Sequence, residues 1–268
     1  MLWLVPFLII ASWGGNLWYY QSMQLEKPLF LKHYIALDGN IGDWMELTYF
    51  ENKSGGKKVT GIQLEQLPTL RFHIQPNQNS YSHQVIGKAY GEVRKEDFAS
   101  VEQVPMSIKE ATVFYNEGPP EKVPIGEIQI SWGKSDGLLQ MSYSRGSSNG
   151  TGEYNVSVNE SLVLERIEYS FGDRLNPVFE LTTTGGKRYE PITQLPLQLD
   201  VGDPLSFSYQ WNIPDEMPAA AVVYKVYLLL TFKNENGRTV HDRIPFNFNH
   251  YLSEKQIKQL VRSGGELP

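Results

Sequence analysis

Cysteine is absent from all 268 residues of the chain. Its absence excludes a disulfide framework, a thiolate zinc site, a cysteine nucleophile and a lipoprotein cysteine. A chain without thiols is suited to a cell surface, where stray thiols would be oxidised. The composition therefore removes several classes of site and favours an extracytoplasmic body.

Charged side chains are absent from residues 1–20, although Asp, Glu, Lys and Arg recur throughout the rest of the chain. A helix over this apolar segment would be about 30 Å long, which is the thickness of the hydrocarbon core of a bilayer. Trp13, Trp18, Tyr19 and Tyr20 gather at its far end, where amphipathic rings favour the lipid–water interface. The segment predicts a single-pass transmembrane anchor, with the lipid bilayer as its partner.

The same segment has features of a cleaved signal peptide. Residues 2–10 could serve as the apolar region, and Ser12-Trp13-Gly14 could serve as the cleavage site. Apolar character resumes at 17–20, however, which favours a retained anchor. Lys27 and Lys32 follow the segment and would by themselves place the body in the cytoplasm. Since folded domains cross membranes largely regardless of charge, we expect an extracytoplasmic body at the cell membrane.

A contiguous basic stripe is also missing. The formal net charge is −6, and basic residues come in doublets such as Lys57-Lys58 and Lys187-Arg188. Nucleic-acid binding normally requires a clustered basic surface that displaces counterions. We therefore expect no nucleic-acid partner.

Strand and turn signals dominate the body. Val, Ile, Tyr, Phe and Thr recur in about fifteen short alternating runs bounded by Gly, Pro, Asn and Asp, which predicts two antiparallel, Ig-like β-sandwich modules in series. Polar, glycine-containing segments at 133–137 and 233–238 predict two hairpin loops. The expected fold class is therefore all-β, with the anchor at one end and a short α-helix at the other.

The predicted domain organisation follows from these signals and from the stretch RGSSNGTG at 145–152, which has no apolar side chain to bury. The predicted parts are a transmembrane anchor (1–20), a juxtamembrane linker (21–28), a first module (29–144), a Gly/Ser-rich linker or hairpin loop (145–153), a second module (154–252) and a C-terminal helix with a tail (253–268).

The C-terminal helix is predicted from its caps. Ser253 and Gln256 form a capping box, and Gly264-Gly265 ends the helix. Its apolar residues, Ile257, Leu260 and Val261, share one face. That face could pack on the protein's own sandwich or dock a partner.

Catalytic and metal motifs fail on inspection. The segment 146–150 matches G-x-S-x-G around Ser148, but a nucleophile elbow needs a helix after it, and the residues that follow predict turn and strand. The five histidines form no zinc motif. Asp38, Asn40 and Asp43 offer oxygen ligands, but Tyr49 occupies the position where an EF-hand needs glutamate. We predict no catalytic, cofactor or metal residue.

Four Asn-x-Ser/Thr triplets occur, at Asn52, Asn149, Asn155 and Asn159. In a secretory-pathway protein such triplets are glycosylation sites. In a chain rich in Ser and Asn they also arise by chance, and chance is the favoured interpretation.

The segment 35–44, with the sequence IALDGNIGDW, resembles the D-G-x-x-x-x-W opening of some carbohydrate-binding β-sandwiches. The resemblance implies that Trp44 is an exposed platform for sugar. The alternative is that Trp44 enters the first core. For Tyr209, Trp211, Phe246 and Phe248, whose alternation points each pair to one face of a strand, we expect core packing.

Together these features predict a membrane-anchored binding protein, an accessory subunit that docks to a protein partner in the membrane or envelope. Candidate partner or ligand contacts are Trp44, Ile257, Leu260 and Val261. A cell-wall polysaccharide binder is the first alternative. A hydrolase whose site assembles scattered Asp and Glu across strands is the second.

Overall fold

The computed structural model describes residues 4–40, 42–94, 97, 105–132, 135–214, 221–249 and 252–263, with the backbone alone at 4, 76–79 and 249. Of the described residues, 55% lie in β-strands. An α-helix stands near each end: α1 (Leu4–Ser22) and α2 (Glu254–Arg262). The prediction of a mostly β protein is confirmed.

The strands of the described residues form three sheets. The N-terminal sheet contains, in spatial order, β1 (Leu29–Phe30), β3 (Asp43–Asn52), β6 (Gln84–Val93) and β5 (Phe72–Ser80). The C-terminal sheet contains β13 (Glu190–Pro191), β12 (Phe179–Gly185), β15 (Pro204–Trp211), β10 (Thr151–Val158) and β9 (Leu139–Gly146). The central sheet contains β14 (Leu197–Leu199), β11 (Leu162–Tyr169), β16 (Val222–Asn234), β2 (Lys32–Asp38), β8 (Glu121–Ser131), β7 (Met106–Tyr115) and β4 (Val59–Gln63), with β17 (Thr239–Asn249) paired to β16.

The central sheet joins the two halves of the chain. Strand β2 pairs in parallel with β8 on one edge and with the start of β16 on the other. Beyond β2, the same edge of β16 pairs with β11, and the opposite edge of β16 pairs with β17. The prediction of purely antiparallel sheets is thus wrong at β2. A parallel neighbour requires a long crossover, and local sequence patterns do not reveal it.

Side chains of β2 enter two different cores because successive residues of a strand point to opposite faces. Ile35 and Leu37 pack in a core between the central and N-terminal sheets, together with residues such as Met45 of β3. Ala36 packs in the core between the central and C-terminal sheets, with residues such as Phe207 of β15. The two smaller sheets therefore cover opposite faces of the central sheet.

The aromatic residues near the C-terminus also lie as predicted. Trp211 and Phe246 are buried in the C-terminal core, and Tyr209 and Phe248 pack against it from partly buried positions. The ring centroids of Tyr209 and Phe246 are 4.8 Å apart in an edge-to-face arrangement. Such aromatic pairs add to the stabilisation that burial of their area provides.

One of the two predicted hairpin loops is correct. Strands β16 and β17 are joined by the turn at 235–238, where Gly237 has a φ of 72° that suits glycine. The predicted loop at 133–137 is wrong, because β8 and β9 belong to different sheets. Between β8 and β9 the chain passes from the central to the C-terminal sheet, and residues 133 and 134 of the predicted loop lie outside the described residues. The carboxylate of Asp242 holds the chain where β9 begins. It accepts hydrogen bonds from the amides of Leu138 at 2.9 Å and Leu139 at 3.0 Å.

The stretch 145–153, predicted as a linker or a hairpin loop, forms the turn between β9 and β10 together with the adjoining strand ends. Ser147 donates its amide hydrogen to the carbonyl of Thr151 at 2.8 Å, and Gly150 has a φ of 86°. The chain thus changes sheet between β8 and β9, upstream of this stretch.

His33 of β2 links the central sheet to the N-terminal sheet. It is fully buried, and its Nδ1 lies 2.9 Å from the carbonyl oxygen of Ile125. Its Nε2 accepts the backbone amide of Thr48 in β3 at 2.9 Å. Gly126 makes room for this strand, since a Cβ there would stand 2.2 Å from the carbonyl oxygen of His33. Burial lowers the pKa of His33 to about 4, against the hydrogen bond with Ile125, which acts to raise it.

Helix α1 projects from the body. Every side chain from Val5 to Ser22 is exposed, and none of them is charged. At its last turns, the rings of Tyr19 and Tyr20 lie 5.9 and 5.7 Å from the ring of His83, measured between centroids. Among the residues described, no helix combines the length and the apolar composition needed to cross a membrane.

The environment of His33 predicts a loss of stability in acid. A protonated ring would carry a hydrogen on Nε2, which then could not accept the Thr48 amide. The pKa of His33 is about 4 in the folded protein and 6.5 in the unfolded chain. The contribution of neutral His33 to the free energy of unfolding is therefore complete above pH 6.5 and is lost as the pH falls towards 4. The expected loss is on the order of 3 kcal/mol.

Urea unfolding at pH 7 and pH 4.5 measures this loss, and His33→Gln should reduce it. His241→Gln, a change at an exposed histidine, serves as the control and should leave the pH dependence unchanged. An equal loss of stability in the wild type and in His33→Gln would show that other groups cause it.

Candidate functional site

The three predicted contact residues of α2 face the protein's own body. Ile257 and Leu260 are each 1% exposed and Val261 is 7% exposed. They form a third apolar cluster with residues that follow α1, such as Leu25, and with Phe50 of β3. The capping box is present as predicted, with both of its hydrogen bonds formed. Of the two alternatives for this face, packing on the protein's own sandwich is the one that the structure shows, and a role in partner contact stays a prediction.

The segment after α1, predicted as a juxtamembrane linker, is held tightly by the N-terminal sheet. The Asn52 side chain accepts the amide of Leu25 at 2.9 Å and donates to its carbonyl at 2.8 Å. The side-chain amide of Gln84 donates to the backbone carbonyl of Met23, whose side chain is buried. We call these contacts of Asn52 and Gln84 the clamp. Both polar groups of the Asn52 side chain are buried and hydrogen-bonded to Leu25. The Asn-x-Ser/Thr triplet at Asn52 is therefore not accessible for glycosylation.

A groove of about 1240 Å³ lies at the foot of α1. Its wall begins at Ser22, the last residue of the helix, and continues along the chain to β2. Apolar side chains, including Leu25, Leu29 and Val261, form much of its lining. The groove thus adjoins the most exposed apolar element of the protein.

Cationic side chains surround this groove. The five in its lining are Lys27, Lys32, Lys109, Lys122 and Arg262, against two carboxylates, Glu26 and Glu110. Lys27 and Lys57 both hold Glu121, at 2.7 and 2.8 Å. Their hydrogen bonds and charges lower the pKa of Glu121 to about 2. The groove is therefore locally basic, although the chain as a whole carries a net charge of −6.

Trp44, the remaining predicted contact residue, is the second residue of β3 and is 60% exposed. Of the two alternatives for this side chain, exposure is the one observed. Its backbone is fixed, because its amide donates to Asp43 Oδ1 at 2.7 Å and its carbonyl accepts from Lys225 Nζ at 2.5 Å. The ring is thus an exposed aromatic surface on a rigid support.

Asp38 and Asp43 lie in an ionic seam between the two halves of the chain. Arg243 Nη1 of β17 lies 3.0 Å from Asp38 Oδ2, and Asp38 is only 1% exposed. Asp43 pairs with Lys225 of β16 and accepts the hydroxyl of Tyr227 at 2.7 Å. Burial, and then the hydrogen bond to Asp43, raise the pKa of Tyr227. Both carboxylates are therefore engaged by cations of the chain.

A second aromatic surface lies on the outer face of the C-terminal sheet. Tyr143 and Tyr189 are 47% and 44% exposed. The side-chain amide of Asn155 lies between them and donates to both hydroxyls, at 3.2 and 3.0 Å. Tyr189 adopts a φ of 54°, a left-handed conformation that costs a tyrosine about 1–3 kcal/mol. We call these three residues the tyrosine face.

Glu153 lies beside the tyrosine face. Its carboxylate accepts hydrogen bonds from Tyr143 at 3.0 Å and Ser206 at 2.9 Å, and it pairs with Arg145 at 2.6 Å. Burial acts to raise the pKa of Glu153, but these hydrogen bonds and the Arg145 charge outweigh it and lower the pKa. Glu153 therefore stays ionised and holds the ring of Tyr143 in place. No sequence motif predicted the tyrosine face, although alternating polar residues on neighbouring strands could have indicated it.

Ser148 lies in the exposed turn between β9 and β10, with a strand on each side. Asn149 closes this turn by accepting hydrogen bonds from the amide and hydroxyl of Thr151. A nucleophile elbow needs a helix after the serine. In the described part of the chain, no three His, Cys, Asp or Glu side chains are grouped to hold a metal ion.

No protein-family model matches the chain, and no curated protein matches it. Solved structures that align with it include mouse clustered PcdhgC3 EC1-3, which is 11% identical over 82% of this chain and 67% of that chain, with a TM-score of 0.29. The Enterococcus faecalis MSCRAMM ACE is 9% identical over 82% of this chain and 94% of that chain, with a TM-score of 0.24. The CupB6 tip adhesin from Pseudomonas aeruginosa is 9% identical over 78% and 90%, with a TM-score of 0.24. Alignments at these TM-scores carry no argument about this chain.

The ionic seam predicts an asymmetric mutational response. Arg243→Met leaves the buried carboxylate of Asp38 without its cation, so we expect a loss of about 3–5 kcal/mol in the free energy of unfolding. The double variant Asp38→Asn/Arg243→Met removes both charges and should recover part of that loss. Urea denaturation measures the free energy of unfolding of the wild type, the single variant and the double variant.

Arg238→Met, in the exposed turn between β16 and β17, is the matched control and should change stability by less than about 0.5 kcal/mol. If Arg243→Met is as stable as this control, the seam does not hold the halves together.

Proposed function

We propose that the protein is a membrane-anchored, extracytoplasmic β-sandwich protein that acts by binding, as an accessory subunit of a membrane or envelope complex. The observation that carries this proposal is α1, whose side chains from Val5 to Ser22 are exposed and uncharged. Exposed fractions of 71% for Phe7, 75% for Trp13 and 72% for Trp18 leave large apolar surfaces in water. Apolar surfaces of this extent mark contact with a membrane or another protein.

A lipid bilayer is the environment that best suits α1. Apolar side chains surround the helix, whereas a helix that docks on a protein surface is apolar on one face. Trp18, Tyr19 and Tyr20 lie at the end nearest the body, where aromatic rings would meet the lipid headgroups. The proposed anchor is the segment 1–20, and the body follows directly from it.

The body supports a role in binding through its surfaces. Trp44 is exposed on a rigid strand, and tryptophan is enriched among the residues that dominate protein–protein binding energies. Trp44 lies beside the ionic seam where the two halves of the chain meet, so a partner bound at Trp44 would contact both halves. Trp44 and Asn52 of the clamp stand near opposite ends of β3, so this surface lies at the end of the strand away from α1.

Charge introduced into α1 tests the anchor. Because the described side chains of this part of α1 are exposed, Leu8→Asp/Ile9→Asp should leave the body folded. Each aspartate costs about 3 kcal/mol in the middle of a membrane helix, so this variant should move from the membrane to the soluble fraction. Leu8→Ile/Ile9→Leu is the matched control and should remain with the membrane. Mass spectrometry should find the apolar segment on the mature chain. A soluble chain that begins near Gly15 would overturn the anchor.

Polysaccharide binding is a second candidate, favoured by the tyrosine face. Two half-exposed rings beside hydrogen-bonding groups of Asn155 resemble the mixture of apolar and polar contacts that small-molecule sites use. Sugar rings can stack on such tyrosines and exchange hydrogen bonds with the amide. Trp44 would be a separate platform.

Cosedimentation with purified peptidoglycan tests this candidate. Removal of one well-placed aromatic contact is worth about 0.5–1.5 kcal/mol, so Tyr143→Ala/Tyr189→Ala should weaken binding about tenfold. Phe114→Ala, a change at an exposed ring of β7 in the central sheet, is the matched control. Full binding by the double tyrosine variant, or no binding by the wild type, would rule this candidate out for peptidoglycan.

A further inference from the structure

We propose that the groove at the foot of α1 binds the headgroup of an anionic phospholipid from the bilayer that α1 enters. The inference rests on the proposed membrane anchor and adds a lipid preference to it. Its basis is the position of the groove, the arrangement of charge around it and the apolar character of its lining.

The groove lies directly at the end of α1. Ser22 is both the last residue of α1 and part of the groove wall. The clamp on Met23 and Leu25 holds the groove against the end of the helix, because both residues are bonded to the N-terminal sheet. When α1 lies in a bilayer with its aromatic end at the interface, the groove lies at the level of the headgroups.

The groove lining carries exposed cationic side chains. Lys32, Lys109 and Arg262 are exposed in the groove lining, and none of them forms an ion pair within the residues that the structure describes. Lys27 and Lys122 are paired with Glu121 and Glu65, but exposed pairs of this kind are weak and can exchange partners. A phosphate group in the groove would meet several ammonium groups and one guanidinium, which can bind it through two hydrogen bonds.

The apolar lining distinguishes this groove from an ordinary basic patch. Leu29 and Val123 stand among the lining residues together with Pro124. A free phosphate has nothing to place against such side chains. The glycerol backbone and the upper part of an acyl chain can pack against these apolar side chains, so a phospholipid matches both the charged and the apolar parts of the groove.

Energy transfer from tryptophan to dansyl-labelled lipid tests the proposal in the full chain. Trp13 and Trp18 of α1 are intrinsic donors near the groove. The protein is reconstituted in phosphatidylcholine nanodiscs that contain a trace of dansyl-phosphatidylglycerol or dansyl-phosphatidylcholine. We expect stronger transfer to the labelled phosphatidylglycerol, and we expect added salt to reduce the difference, because it screens the attraction.

The triple variant Lys32→Gln/Lys109→Gln/Arg262→Gln should abolish the preference. Each basic residue near a membrane surface contributes about fivefold to the affinity for anionic lipid, so the three together predict about a hundredfold weaker selectivity. The matched control is Lys187→Gln/Lys233→Gln/Arg238→Gln, which removes the same charges from exposed positions outside the groove. Circular dichroism confirms that both variants fold.

The outcomes separate this inference from the proposed anchor. Failure of the chain to enter phosphatidylcholine nanodiscs would overturn the anchor and the inference together. Stable insertion with equal transfer to both labelled lipids would overturn the inference and leave the anchor standing. An equal loss of selectivity in the two triple variants would show that net charge, and not the groove, attracts the lipid. Concentration-dependent dimerisation abolished by the groove variant would assign the groove to a second copy of the chain and overturn the lipid proposal.

Discussion

The parallel pairing of β2 with both β8 and β16 is the constraint on which the rest of the structure depends. It places one short strand between the two halves of the chain. Ile35 and Leu37 fill one core and Ala36 fills the other, so each half is completed by a residue of the same strand. The buried side chain of His33 then joins this strand to β3 of the N-terminal sheet. A substitution in β2 is therefore expected to disturb both cores at once.

The ionic seam reinforces the same junction at the end of β2. Asp38 is the last residue of β2 and Asp43 is the first residue of β3, and their cationic partners Arg243 and Lys225 belong to the last two strands. Buried ion pairs contribute little net stability, but they penalise any arrangement that separates the charges. The seam thus specifies how the halves align, while the apolar cores supply most of the driving force.

Local signals predicted local structure well. The capping box of α2 and the turn at Gly237 depend on residues within a few positions of each other, and both are present. The alternation of apolar residues indicated strands, but not which strands pair. The error at 133–137 shows this limit, since two adjacent strands there enter different sheets. Asp43 and Lys225 are 182 positions apart, and no pattern in the chain announces their contact. The exposure of Trp44 likewise depends on where the other half of the protein lies.

The clamp at Leu25 makes the connection between α1 and the body a rigid one. A flexible tether would let the body reorient freely, whereas Asn52 and Gln84 hold the chain within a few residues of the helix end. In a bilayer, the tilt of the helix would then set the tilt of the sheets, and rotation of the helix about its axis would turn Trp44 around the same axis. The protein would therefore present its surfaces at a fixed height above the bilayer and in a fixed direction relative to the helix.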